Sequence, residues 1–178
     1  MRRTIITAIA AAILVACAAR SAHATDVGYS RKFGIGLELG DPTGLSAKLW
    51  VAPTNALDFG LGWWGFGVGN NCFRNGANEV VCNTFGGGTF NVDYLWQSNI
   101  VRGTAQLDWH IGAGGRAIWF SGCAGDCFDL GARLPLGLDL MFQNPNFLEV
   151  FFEVAPAFYV VPSAFPAFEG GLGVRGYL

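Results

Sequence analysis

Long apolar runs are missing from most of this chain. From Thr25 onward no uninterrupted hydrophobic stretch approaches the ~18 residues that a transmembrane helix requires, although hydrophobic residues make up 52% of the sequence. Charge is scarce as well: Asp, Glu, Lys and Arg together reach 13%, against roughly 25% in ordinary soluble domains. No basic cluster stands out, which removes the electrostatic footprint of a nucleic-acid surface. Histidine occurs only at His23 and His110, too few for the His-rich spacings of most zinc sites.

What is abundant is glycine, 26 of 178 residues and without a collagen period, about twice the usual ~7%. A chain this apolar, without long runs, has to carry its hydrophobic surface on alternating positions. Phe128–Phe142 shows the pattern most clearly. Leu130, Ala132, Leu134, Leu136, Leu138 and Leu140 share one parity, while Asp129, Gly131, Arg133, Gly137 and Asp139 share the other. Successive side chains of a strand point to opposite faces, so this reads as one long strand with an apolar and a charged face. A helix would scatter those leucines around its axis.

The first residues read as an export leader. Arg2 and Arg3 precede the short apolar segment Thr4 to Ala16, and Ala22-His23-Ala24 is a small-x-small cleavage site, so cleavage after Ala24 is expected. Leu14-Val15-Ala16-Cys17 is a rival site, of the lipoprotein type, at which Cys17 would be acylated. Residues 1–24 are thus assigned to the leader, 25–32 to a short periplasmic lead-in and 33–178 to the folded domain. Removing Arg2, Arg3 and Arg20 leaves eight basic residues against thirteen acidic ones, a net charge of −5. Cys72, Cys82, Cys123 and Cys127 remain, which allows three pairings. Each pair lies within one Gly-rich loop region, so 72–82 and 123–127 are the expected bridges in an oxidising compartment. No histidine accompanies either pair, so loop staples are favoured over metal binding.

Eight strands are expected: 33–40, 45–51, 56–66, 88–97, 104–119, 128–142, 147–160 and a last one running from the Pro166 region to Leu178. Turn residues separate the first ones, as in Asp41-Pro42-Thr43-Gly44, and a long Gly/Asn/Cys loop is expected from about Gly67 to Gly87. An even count suits an antiparallel up-and-down barrel closed on itself. Pro135 is out of place in a closed sheet, and an inward bulge beside Gly137 is expected there.

Charge decides which face is outside. Glu38, Lys48, Asp58, Asp93, Asp108, His110, Arg116, Arg133, Asp139, Glu149, Glu153, Glu169 and Arg175 share one face with many glycines. The other face carries Trp, Phe and Leu. An eight-stranded barrel is only wide enough inside for side chains to fill it, so glycines and charged groups belong within and the bulky set belongs against lipid. The expected fold is therefore an all-β, eight-stranded transmembrane β-barrel with a polar, side-chain-filled lumen. Aromatics near strand ends, among them Trp50, Trp63, Trp64, Phe66, Tyr94, Trp96, Trp119, Phe120, Phe142, Phe158, Tyr159 and Tyr177, read as two interfacial girdles. The longer connections after strands three, five and seven read as extracellular, with both termini and the short turns periplasmic.

The segments LGDPTGLSAKLW, NALDFGLGWW, VDYLW, IGAGGR, RLPLGLDLMF, EVAPAF and GGLGVRGYL, in this order over Phe33 to Leu178, resemble an uncharacterised family of small bacterial outer-membrane β-barrels. The resemblance implies the fold and the outer membrane as address; it carries no catalytic residues. The last strand also resembles the C-terminal signal read by the barrel-assembly machinery.

Chemistry is thinly represented. Asp108 and His110 fall on one inward face with Arg116 further along, but no serine motif accompanies them, and a general base is recognised by geometry first. The acids are dispersed over strands and form no dense metal loop. GFGVGN and FGGGTF precede no helix and are not phosphate loops. The expectation is a non-enzymatic integral barrel without a large pore or cofactor. Its expected partners are outer-membrane lipids, the assembly machinery during insertion, and a possible extracellular ligand at the loops. A lipid-modifying membrane enzyme and a soluble ligand-binding barrel are the alternatives.

Overall fold

The computed structural model describes residues 27, 30–63, 70–74, 80–84, 87–102, 105–120, 128–142 and 144–178, with the backbone alone described at 70–74, 80–84 and 120. The leader, Cys17, Cys123, Cys127, Trp64 and Phe66 lie outside the described residues, as do the side chains of Cys72, Cys82 and Phe120. Among the described residues there is no helix, and hence none long and apolar enough to cross a membrane.

Eleven strands are formed: β1 (Phe33–Asp41), β2 (Gly44–Ala52), β3 (Asn55–Gly62), β4 (Asn70–Arg74), β5 (Val80–Thr84), β6 (Gly87–Arg102), β7 (Ala105–Phe120), β8 (Phe128–Arg133), β9 (Leu136–Phe142), β10 (Leu148–Val161) and β11 (Phe165–Tyr177). Nine of them build one antiparallel sheet in the order β11-β1-β2-β3-β6-β7-β8-β10-β9. It closes on itself, because β11 pairs with both β1 and β10 while β7 pairs with β9 as well as β8. First and last strands meet in register from Gly34 opposite Tyr177 to Asp41 opposite Gly170. The remaining two, β4 and β5, form a separate hairpin where a plain loop was expected.

The sheet has nine strands rather than eight because Phe128–Phe142 is divided. Proline explains this, and no bulge is involved. Arg133 opposes Gly114 of β7 and Leu136 opposes Ile111, three residues on each strand, so no residue is inserted. Toward β10 the same holds, with Ala157 opposite Arg133 and Val154 opposite Leu136. At the gap Gly112 N–H still donates to Pro135 O (2.8 Å), and Leu134 N–H to Pro156 O (3.0 Å). The return bonds are missing because Pro135 and Pro156 have no N–H. β8 and β9 thus share one position in the ring, and Pro135 is fully buried on its inner side.

Alternation of burial follows the parity read from the sequence. Along β10 the pattern from Leu148 to Val160 is one residue in, one out, as the two-residue strand repeat requires. The polarity, however, is the reverse of a soluble protein. Leu37, Leu39, Phe168 and Leu172 are 61, 65, 72 and 53% exposed, whereas Lys48, Asp139 and Glu149 are 0% exposed.

Two ends can be distinguished. At one, the carbonyl of Lys32 accepts from Trp50 N–H, Thr54 O accepts from Gln97 N–H, and Phe147 O accepts from Tyr177 N–H. This end therefore gathers the lead-in, the C-terminus and the tight turns. The other end holds the β1–β2 turn, the β4–β5 hairpin and the β10–β11 connection. In that β1–β2 turn Gly40 takes φ +145°, a conformation open to glycine, and Gly40 N–H donates to Thr43 Oγ1 at 3.1 Å.

Candidate functional site

Ion pairs between strands that are not neighbours in the ring can only run through its interior. Lys48 on β2 reaches Asp139 on β9 at 3.1 Å, and Arg116 on β7 reaches Asp41 at the end of β1 at 2.5 Å. These contacts join into one continuous path. Arg175 holds Asp58 (2.6 Å) and Glu149 (2.8 Å), and Lys48 lies 3.8 Å from Glu149 and 3.1 Å from Asp139. His110 joins Asp139 (2.8 Å) to Glu153 (3.2 Å). Glu153 is then held by Arg133, which also lies 3.5 Å from Asp93 and from Glu169. Arg116, 3.0 Å from Glu169, carries the path to Asp41.

Neutral groups complete the set. Ser46 accepts two bonds from Arg175 (2.9 and 2.7 Å), and Thr89 accepts one from Arg116 (2.7 Å). Asn91 donates to Asp93 at 3.0 Å. The Arg175 guanidinium also sits 3.7 Å above the Phe151 ring, a cation–π contact in a buried setting. Eight carboxylates are buried here, at 38, 58, 93, 108, 139, 149, 153 and 169, against four obligate cations. Each cation lies within ion-pair distance of two or three acids, Asp41 among them, while Glu38 and Asp108 are in none of these pairs.

Glycines make room for these groups. A Cβ on Gly171 would lie 2.5 Å from the Glu38 carboxylate, and one on Gly137 would lie 2.5 Å from the His110 ring. Added carbons on Gly60 and Gly114 would collide with Asn91 and Asp93. The high glycine content is thus the spatial counterpart of the charged interior.

Both mouths are closed by apolar side chains. At the end bearing the termini, Val27, Trp50, Ala56, Met141 and Tyr177 pack together. Trp50 Nε1–H donates to Tyr177 OH (3.3 Å), which donates onward to Glu149 (2.5 Å). At the other end Ile118, Ala157 and Tyr159 pack with Ala167, and Tyr159 OH donates to Glu169 at 2.5 Å. Three of the residues assigned to aromatic girdles, Trp50, Tyr159 and Tyr177, are therefore interior. A small cavity of about 20 Å³ beneath the first mouth is lined by Val27, Thr54, Gln97, Asn99, Arg102 and Asp108.

The residues singled out as a catalytic candidate do not come together. Asp108 accepts from Gln97 (3.2 Å), Asn99 (2.7 Å) and Gln106 (2.7 Å). His110 faces Asp139 and Glu153 instead, and Arg116 turns to Asp41, Glu169 and Thr89. A carboxylate lies within hydrogen-bond distance of each ring nitrogen of His110, so both nitrogens are engaged inside the ring. Among the described residues no group of three or more His, Cys, Asp or Glu converges as metal ligands.

Sequence reading missed Asp41, Ser46, Thr89, Asn91, Gln97 and Gln106 as interior partners. Apart from Asp41, each shares the parity of a charged residue on its own strand, so the same rule would have found them. In the hairpin, Cys72 of β4 lies directly opposite Cys82 of β5 in the backbone register.

Residues 25–171 match the family model described as "Protein of unknown function (DUF3996)". No curated protein matches the chain, and no solved structure does.

Proposed function

We propose that this chain, which belongs to the DUF3996 family, is an integral β-barrel of the bacterial outer membrane. It is non-enzymatic, has a plugged lumen, and acts through the surface that its loops present outside the cell. The observation that carries this reading is the inverted polarity of the ring. Charged side chains are enclosed and most of them ion-paired, while Leu, Ile, Val and Phe cover the outside on every strand of the ring sheet. Water-soluble monomers rarely expose contiguous apolar patches beyond a few hundred Å², whereas a lipid-facing wall consists of nothing else. A closed ring also leaves no unpaired strand edge, which a hydrocarbon surrounding demands.

A soluble ligand carrier would need an apolar cavity, and this interior is filled with ion pairs. A lipid-modifying enzyme would need an accessible base near the rim, and His110 is 1% exposed between two carboxylates. A Cys72–Cys82 disulfide fits the cross-strand register and the Cα separations of antiparallel partners; it would pin a two-stranded hairpin that is only marginally stable alone.

Fractionation tests the address. The protein is expected in the outer-membrane fraction, resistant to carbonate extraction and heat-modifiable in gel mobility; recovery from the soluble periplasm refutes the reading. Planar-bilayer recording tests the plug, with a stable large conductance as the contrary result. The lipid composition of cells is expected to be the same with wild type and His110→Ala, and product accumulation dependent on His110 would restore the enzyme alternative.

A further inference from the structure

Three described cations stand outside the ion-paired interior and gather at one mouth. Arg31, Lys32 and Arg102 lie at the mouth that carries the termini and tight turns, Lys32 and Arg102 exposed and Arg31 half-buried. At the opposite mouth Asp129 is half-buried, and Asp41 is held by Arg116. The three cations differ from those inside in their partners. Arg31 Nη1 donates to the Asn146 side-chain oxygen and Arg102 Nε to that of Asn99, each at 3.2 Å. Amides orient these guanidinium groups without neutralising them. Among the described residues no carboxylate lies within ion-pair distance of any of the three, whereas Lys48, Arg116, Arg133 and Arg175 each have at least two.

The backbone fixes the collar on the mouth. Lys32 is tied to β2 through its carbonyl and Trp50 N–H. Arg31 bridges to Val27, whose side chain lines the cavity that Arg102 also lines. Just outward on β6, Tyr94 and Trp96 form an exposed edge-to-face pair at 5.1 Å, the kind of amphipathic aromatic placement found at headgroup level.

From this we infer that the Arg31–Lys32–Arg102 collar is a binding surface for anionic phospholipid headgroups of the leaflet into which the tight-turn end projects. Uncompensated cations beside an apolar wall meet lipid phosphates at that depth, and each adds roughly fivefold to the attraction toward an anionic surface. Two arginines held open by amides suit phosphate, whose oxygens match the guanidinium fork.

This inference rests on the membrane reading. Full-length mature protein is folded into vesicles of phosphatidylcholine containing about one-third phosphatidylglycerol, and the lipids retained on the protein are weighed by native mass spectrometry. Wild type is expected to retain phosphatidylglycerol several-fold above its bulk share. The triple variant Arg31→Gln/Lys32→Gln/Arg102→Gln is expected to fall to the bulk share, while Arg31→Lys/Arg102→Lys stays enriched. Equal retention by wild type and the triple variant, both folded, overturns the collar and leaves the barrel intact. Failure of wild type to enter vesicles of any composition overturns the barrel reading itself.

Discussion

Replacing Arg133 by leucine isolates the energetics of the interior. Arg133 is 2% exposed and lies within ion-pair reach of Asp93, Glu153 and Glu169. Glu153 keeps His110, and Glu169 keeps Arg116 and Tyr159, but Asp93 is left with the Asn91 amide alone. Removing one partner from a buried charge cluster costs about 3–5 kcal/mol, because the remaining ion is uncompensated. The control is Leu138→Ala on β9, an outward position 42% exposed. It loses three carbons at about 0.8 kcal/mol each when fully buried, and lipid or detergent fills the space, so about 1–2 kcal/mol is expected. Urea unfolding in vesicles, followed by tryptophan emission and gel mobility, should therefore place Arg133→Leu well below Leu138→Ala. Adding Asp93→Asn should recover part of the loss by removing the stranded charge. Equal midpoints for the two single variants, or no recovery in the double, would refute an interior held by ion pairs.

Other expectations follow from the same geometry. Gly137→Val places a side chain against the His110 ring and should destabilise by about 1–3 kcal/mol. Gly115→Ala meets only Gly131 O at 3.4 Å and should stay within about 1 kcal/mol of wild type; both are read in the same urea titration. Cys72→Ser should abolish a thiol-protected species in alkylation mass spectrometry. It should also sensitise the 70–84 hairpin to protease, since closing so short a loop is worth about 3 kcal/mol. Two free thiols at 72 and 82 in the exported wild type would be the contrary result.

Much of the ring was legible because one rule, parity, governs both wall and interior. Alternation puts thirteen charged or histidine side chains on one face, and each of the thirteen is buried, since on the other parity it would have faced the apolar outside. Where residue type was used in place of parity, the reading went astray. Trp50 and Tyr177 were placed in a girdle because they are aromatic, yet they share the parity of Lys48 and Arg175 and close the mouth above them. The β4–β5 hairpin escaped because Asn70–Arg74 and Val80–Thr84 show no alternation of polarity, the signal used for the other strands. Pro135 was recognised as an irregularity, but its effect was not. Whether proline inserts a bulge or only deletes a ladder bond depends on the register of two neighbouring strands, and Pro156 on one of them contributes as much as Pro135 itself.

The ion-pair path also bears on how such a chain travels. Its contacts are remote in sequence, Arg175 to Ser46 spanning 129 residues and Lys48 to Asp139 spanning 91. Such cross-ring pairs form only when distant strands come together, so their acids and bases stay hydrated in the unfolded chain. During that time they are the principal polar groups on a greasy polypeptide, and alternation spreads them so that no hydrophobic stretch is long. The residues that later staple the interior thus first serve as solubilisers of the unfolded chain. Closure of the ring then hides them, and on the proposed membrane reading it turns a water-tolerant chain into one whose outer surface suits lipid.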